Sequence, residues 1–390
     1  MIRTILLSIS SLLISLGQTV IVPLPSSTGP CDVTLHASEL VDMSRTDPND
    51  PKGDKRSIMV TTFTPVNCGS VLSTSYVPDA TAKFENEIFQ SFGLPPGTFE
   101  SFRIQTQTQQ RPPPFRLHGG YPVVLFSPAV GTSRLMYTLL LQEIASNGFA
   151  VVSVDHPYDA DIVEYPDGHT VLGILANINT PTEFVSALEV RVKDMSFLLD
   201  QMHDEKVIRN LFPLSQGNSH LLSLDRVTIL GHSLGGATAA QTILVDNRFV
   251  GGINLDGQLW GSVVDKGLSS PFLLFGNANH TQATDHSWAT FSSHLRGWKL
   301  ELQLAQSEHY TFSDYPVLVD TLGISDEVRQ IIQVQTNGTG TIGGLRAKDV
   351  ITSYTVATLQ YFVYGHKSEL LSGPSVAYPD VTFVSSGLVK

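Results

Sequence analysis

The chain of 390 residues is 42% hydrophobic and only 15% charged, which supplies a large core and excludes global disorder. Its 24 Lys and Arg against 36 Asp and Glu leave a formal net charge of −12. That balance, without any Lys/Arg run, excludes a nucleic acid as the main partner.

At the start, "MIRTILLSISSLLISLGQTV" places Arg3 before a mostly apolar stretch of 12 residues, Ile5 to Leu16, with small Ser15 and Gly17 at its end. This is the anatomy of a secretory signal peptide over 1–17, and the stretch is too short to span a bilayer. The expectation is a secreted, extracellular protein. Residues 18–56, rich in Pro, Ser and Asp, read as an N-terminal arm. The two cysteines, Cys31 and Cys68, are expected to pair as a disulfide in an oxidising compartment. Asn279 and Asn337 open N-x-[ST] sequons and are candidate glycosylation sites.

"SIMVTTFTPV" (57–66) is rich in β-branched residues and predicts a strand. The Pro- and Gln-rich "FRIQTQTQQRPPPFRLHGG" (102–120) reads as an exposed connection. From residue 122 short apolar strands alternate with helices. The strands are "PVVLFS" (122–127), "AVVSVD" (150–155), "RVTIL" (226–230), "VGGINLD" (250–256), "PFLLFG" (271–276) and "WKLELQLA" (298–305). The last alternates strictly, with Trp298, Leu300, Leu302 and Leu304 on one face. Helical spacing marks 133–148, 180–202 and 353–364, and puts Phe149, Phe184 and Phe197 among core positions. This order predicts an α/β fold, a mostly parallel central sheet with helices on both faces. One such domain spans 57–366, followed by a C-terminal tail, 367–390.

The strand 226–230 runs into Gly231-His232-Ser233-Leu234-Gly235, and a helix follows at once. A G-x-S-x-G between strand and helix is the nucleophile elbow of α/β-hydrolases, where the tight turn tolerates only small residues two positions either side of the serine. The rival local reading is a Ser N-cap on an ordinary helix. A nucleophilic serine needs a base and a carboxylate, which in this fold follow in the order Ser, acid, His. His309, on the loop past 298–305, is the candidate base. His280 and His286 follow an earlier strand, His294 lies in a helix, and His366 lies beyond the last helix. Two acids compete. Asp256 ends a strand, where its backbone is rigidly held, whereas Asp285 lies nine residues beyond Gly276 on a loop that carries a sequon. The oxyanion hole takes one N–H from Leu234 and one from the loop after 122–127. Pro128 has no N–H, which leaves Ala129 or Val130. Asp155-His156 reads as ordering a loop.

From about residue 32 to 366 the chain resembles the platelet-activating-factor acetylhydrolase family, the calcium-independent, lipoprotein-associated phospholipase A2 type. The resemblance lies in "GHSLGGAT", in "INLDG" 23 residues after Ser233, and in "SEHYTFSDYP" 53 residues beyond Asp256. "PVVLFSPAVGTSR" and "VVSVDHPYDA" also resemble its oxyanion and next strands. The resemblance implies an α/β-hydrolase fold with Ser233 as nucleophile, Asp256 rather than Asp285 as acid, His309 as base, and Leu234 and Val130 as oxyanion donors. It implies a serine esterase similar to 1-alkyl-2-acetylglycerophosphocholine esterase, removing short sn-2 acyl groups from phospholipids. Family members commonly carry His-Gly where this chain has Pro128-Ala129, and the pocket rim at 156–180 has no counterpart that transfers.

No H-E-x-x-H, Cys cluster or dinucleotide fingerprint is present, so neither metal nor organic cofactor is expected. The expected partner is a small ester or phospholipid, with transient contact at a lipid surface left open. Two other readings keep the same fold: a cutinase-like polyesterase, and a non-catalytic binding protein, for which a broken triad would be expected.

Overall fold

The computed structural model describes residues 20–66, 70–107, 120–175, 178–213, 222–335 and 338–387. The proposed signal peptide (1–17), Cys68 and Asn337 lie outside the described residues.

In chain order the strands are β1 (Val22–Pro23), β2 (Asp32–Thr46), β3 (Lys55–Val66), β4 (Val71–Ser75), β5 (Phe102–Gln107), β6 (Tyr121–Ser127) and β7 (Ala150–Asp155). They continue as β8 (Ile162–Glu164), β9 (Thr170–Leu172), β10 (Leu222–His232), β11 (Phe249–Leu255), β12 (Phe272–Gly276), β13 (Lys299–Leu304) and β14 (Val381–Gly387). Nine of these form one sheet in the order β14-β13-β12-β11-β10-β6-β7-β3-β2. The six from β13 to β7 run parallel. β14 closes one edge antiparallel, and β3 and β2 close the other. β6, β7 and β12 are buried along their whole length, which is why they read as continuous apolar runs.

Each face of the sheet carries its own core. On one, Val124, Phe126, Leu230, Phe275, Leu302 and Leu304 pack under α1 (Asp79–Gln90), α2 (Thr98–Ser101), α3 (Thr138–Ser146), α9 (Tyr315–Thr321) and α11 (Gly344–Tyr364). On the other, Val123, Leu125, Val154, Ile229 and Leu274 pack under α4 (Pro181–Gln201), α5 (Glu205–Leu211), α6 (Leu234–Val245), α7 (Val263–Lys266) and α8 (His286–His294). Each fully buried Leu or Phe contributes about 1.5–3 kcal/mol. α10 (Asp326–Gln335) lies between α9 and α11 in the chain. α4 begins at a capping box, Thr180 with Glu183, and has Pro181 in its first turn. No helix of the described residues is long and apolar enough to cross a membrane.

The domain limits expected from sequence need correction. The 18–56 arm supplies β2, an edge strand of the main sheet paired with β3 along its length, and the 367–390 tail supplies β14, so 298–305 is not the last strand. Both strands face solvent on one side, and their polar composition hides the alternation. Part of the Pro/Gln-rich connection, Phe102–Gln107, is β5, which joins β1 and β4 in a three-stranded sheet. Phe149 is buried as expected. Phe184 and Phe197 are only half-buried: Phe184 stacks on Trp260 at 4.7 Å between ring centroids, and the Arg45 guanidinium lies over Phe197.

Candidate active site

The carboxyl ends of the parallel strands gather the chemistry-bearing residues, as open parallel sheets do. β10 runs directly into Ser233, whose N–H still bonds Leu255 O on β11 at 2.9 Å. Ser233 then turns to φ 57° and ψ −125°, and α6 starts at Leu234. A side chain at such a positive φ costs on the order of 1–3 kcal/mol, so packing must hold it there. The glycines show how. A Cβ on Gly231 would meet the Gly235 backbone at 2.3 Å, and one on Gly235 would meet Ser127 O at 1.9 Å. Ser233 makes no capping hydrogen bond to α6. The N-cap reading therefore fails on both backbone and side chain.

Asp256 follows β11 with φ 55° and is buried. Asn254 clasps the turn, donating from Nδ2 to Gly257 O at 2.6 Å and accepting from Gly257 N–H at 2.8 Å. Every hydrogen-bond partner of the Asp256 carboxylate is a donor. Asn277 gives its backbone N–H at 2.8 Å and its side-chain amide at 2.9 Å, and His280 Nδ1 reaches Oδ1 at 2.9 Å. His309 Nδ1 reaches Oδ2 at 2.6 Å. Burial alone would raise this carboxyl, but the bonds from His280 and His309 hold it well below the usual carboxylate range. His309 opens the 3-10 turn His309–Phe312 beyond β13 and is part-exposed. Among the described residues neither its Nε2 nor Ser233 Oγ has a hydrogen-bond partner, and the two do not bond each other.

Asp285, the rival acid in sequence, does not touch His309. It caps α8, its Oδ1 accepting from Ser287 N–H at 2.7 Å, and its Oδ2 meets His280 Nε2 at 2.8 Å. Nothing local in the sequence marks His280, because its two partners come from separate loops.

His232, buried inside the elbow, accepts from the Tyr137 hydroxyl at Nδ1 (2.9 Å) and donates from Nε2 to His309 O (3.0 Å). The carbonyl requires Nε2 to carry the proton. Burial, with His309 beside it, holds His232 well below the ordinary histidine range, so it stays neutral. Tyr137 in turn accepts from Ala129 N–H at 3.1 Å. The oxyanion loop is thus tied through Tyr137 and His232 to the backbone of His309.

That tie bears on the choice between Ala129 and Val130. Ala129 N–H is taken by Tyr137 and Gly131 N–H by Asp159 O at 2.9 Å. The N–H of Val130 between them is uncommitted among the described residues. Pro128, though it has no N–H, is held by its carbonyl, which accepts from Arg191 at 2.6 Å. Arg191 is buried and forks onto Asp159 with both Nε and Nη2. Beside it His156 joins Ser127 Oγ (3.0 Å) to Asp194 (2.9 Å), and Arg56 bridges Asp194 and Asp47. Asp155 accepts from Arg134 N–H at 2.5 Å and pairs with its guanidinium. Asp155 and His156 therefore order loops.

His232, Asp256 and His309 place donor atoms within 4.8 Å of one another. Within the group, His309 Nδ1 and Asp256 Oδ2 already share a hydrogen bond at 2.6 Å.

Residues 100–166 and 181–364 match the sequence profile of the family described as "Platelet-activating factor acetylhydrolase, isoform II". The chain belongs to that family. A relative from Arthroderma benhamiae, described as a "Probable 1-alkyl-2-acetylglycerophosphocholine esterase", is 32% identical over 389 residues, 93% of each chain. The "Platelet-activating factor acetylhydrolase" of Cavia porcellus is 26% identical over 268 residues, 64% of this chain and 59% of its own. Among solved structures, a ferulic acid esterase from Streptomyces cinnamoneus superposes with a TM-score of 0.77 at 29% identity, over 93% of this chain and 99% of that one. The fold is an α/β-hydrolase, and this member of the acetylhydrolase family is a carboxylic ester hydrolase.

Proposed function

We propose that the chain is a secreted serine esterase that removes short sn-2 acyl groups from phospholipids through an acyl-enzyme. The observation that carries this reading is the Ser233 elbow at positive φ together with a His309–Asp256 pair bonded at 2.6 Å. Ser233 Oγ attacks the ester carbonyl and His309 Nε2 takes its proton. Asp256 fixes the tautomer through Nδ1 and offsets the imidazolium's charge. The N–H groups of Leu234, at the start of α6, and of Val130 hold the oxyanion. His309 then protonates the leaving alcohol, and water, activated by the same imidazole, releases the acid.

The substrate class follows the Arthroderma benhamiae relative, whose described activity is on 1-alkyl-2-acetylglycerophosphocholine. The ferulic acid esterase neighbour supports a second reading, an ester with an aromatic acyl group. Phosphatidylcholines with sn-2 chains from acetyl upward, assayed beside a feruloyl ester, an insoluble polyester and a short aryl ester, separate these readings. Fastest turnover of the acetyl phospholipid is expected; turnover of the feruloyl ester or the polyester alone would overturn it. Ser233→Ala should abolish hydrolysis and fluorophosphonate labelling while the protein stays folded, and retained turnover would sink the mechanism. Secretion, the Cys31–Cys68 disulfide and glycans at Asn279 and Asn337 belong to the same proposal. Intact-mass analysis of protein recovered from the medium reads all of them.

A further inference from the structure

We propose that His280 is a positioning residue of the ester-cleaving site: an imidazolium clamped between Asp256 and Asp285 that holds the carboxylate facing His309 and offsets part of its charge. The inference rests on the reading of Asp256 and His309 given above.

The hydrogen-bond inventory requires the charge. His280 meets a carboxylate oxygen with each ring nitrogen, Asp256 Oδ1 at 2.9 Å and Asp285 Oδ2 at 2.8 Å. A neutral imidazole has one N–H, so one of these contacts would set a nitrogen lone pair against a carboxylate oxygen. A proton on Asp256 has no place, because both of its oxygens already accept two bonds from donors. Asp285 is held as a carboxylate by Ser287 N–H, Ser287 Oγ–H and Trp288 N–H, all donating to its other oxygen. The Trp288 ring lies against the imidazole, 4.1 Å between centroids and 27° between planes, as a cation over an aromatic face does. Burial works against the charge, but the two carboxylates outweigh it and raise His280 to about 9.

The charged and titratable groups around His280 come from four elements. Asp256 stands at the end of β11, and Asp285 caps α8. Glu301, on β13, accepts from Gln282 N–H and Ser385 Oγ–H, and burial raises its carboxyl while His280 counteracts this. His309 shares Asp256 from the loop beyond β13. With both nitrogens occupied, His280 cannot itself accept the proton of Ser233. Its influence passes through Asp256. As a donor it fixes the Oδ1 side of that carboxylate, so that Oδ2 stays aimed at His309. As a cation it keeps a second, half-buried carboxylate, Asp285, from adding its charge to the site uncompensated.

The test uses the full chain with a short aryl ester, for wild type, His280→Gln, His280→Ala and Asp285→Asn, with kcat and KM followed from acid to alkaline pH. The wild type should lose kcat through about pH 9 as His280 gives up its proton. His280→Gln keeps one amide donor for Asp256 but no charge. Its kcat should fall roughly tenfold at unchanged KM, its alkaline loss near that pH should vanish, and the acid limb of kcat/KM should move up by about one pH unit. His280→Ala should lose more kcat than His280→Gln. A wild-type pH profile in His280→Gln would overturn the proposal. If that variant does not fold, Asp285→Asn decides, since Asn still caps α8. Its alkaline loss should begin about one pH unit lower, and an unmoved profile would overturn the proposal. Turnover surviving Ser233→Ala would instead remove the esterase mechanism beneath it, a different failure.

Discussion

Two regions hold the site, and they are built from different chemistry. Around Asp256 the holding groups are imidazoles and amides: His309, His280 and Asn277 converge on one carboxylate. Beneath the oxyanion loop they are mainly guanidiniums: Arg191 on Asp159 and Pro128 O, Arg56 on Asp194 and Asp47, Arg134 on Asp155, with one imidazole, His156, that burial and Arg191 hold below the ordinary histidine range. Imidazoles change charge in the working range and guanidiniums do not. The first region can therefore tune proton transfer, while the second keeps a backbone N–H in place at any pH the fold survives. Variants on each side should separate these properties.

The largest effect is expected from Asp256→Asn. It preserves the shape but frees His309 to take the wrong tautomer, and kcat should fall by about 10⁴; stability should fall too, by about 1–3 kcal/mol, because the amide NH2 faces two of the donors that the carboxylate accepted. Rates on an aryl ester beside thermal melts check both halves. On the other side, Arg191→Met leaves Asp159 buried without its partner and releases Pro128 O. Denaturant unfolding should show a loss of about 3–5 kcal/mol, with the pH profile of the remaining activity unchanged. A shifted profile would break the division of labour between the two regions.

Tyr137→Phe cuts the hydrogen-bonded chain that runs from Ala129 through His232 to the His309 backbone, leaving Ala129 N–H and His232 Nδ1 unpartnered. A loss of about 1–3 kcal/mol is expected, with a smaller fall in kcat than for Asp256→Asn. The smallest effect is in stability against pH. Asp256 and Asp194, whose carboxyls are depressed, stabilise the fold above about pH 3.9, and this contribution drains away as pH falls below that. His280, raised to about 9, stabilises fully below about pH 6.5 and loses that contribution as pH rises through 9. Asp161 and Asp314, raised to about 7 by burial, lose stability from about pH 4 upward in every variant. The difference in Tm between wild type and His280→Gln should therefore shrink between about pH 6.5 and 9.5. A constant difference would show that His280 is not titrating in the fold.

Much of the fold was legible because buried parallel strands are continuous apolar runs and the elbow glycines follow from close approach. β2 and β14 were not, because an edge strand keeps polar residues on its open side, and the partner of β14 lies far off in sequence. Within the site, Ser233, Asp256 and His309 sit at strand ends that chain order marks. His280 is different. Its meaning depends on Asp285 swinging back across five residues to meet it, and on Asp256 arriving from another strand. Arg191 was hidden for a related reason, as one of several charges on a long amphipathic helix whose inward turn only tertiary packing selects.

The oxyanion loop carries a consequence for engineering. Its three successive nitrogens are unequal: Pro128 has no hydrogen, Ala129 spends its own on Tyr137, and Val130 keeps one in reserve. If catalysis draws on that amide, residue 130 contributes through its backbone alone, while its half-buried side chain packs against the same apolar cluster as Phe184 and Trp260. A library at this single codon that omits proline would then vary the side chain packed there while the backbone N–H is kept. Position 130 is where ester preference can be explored most safely.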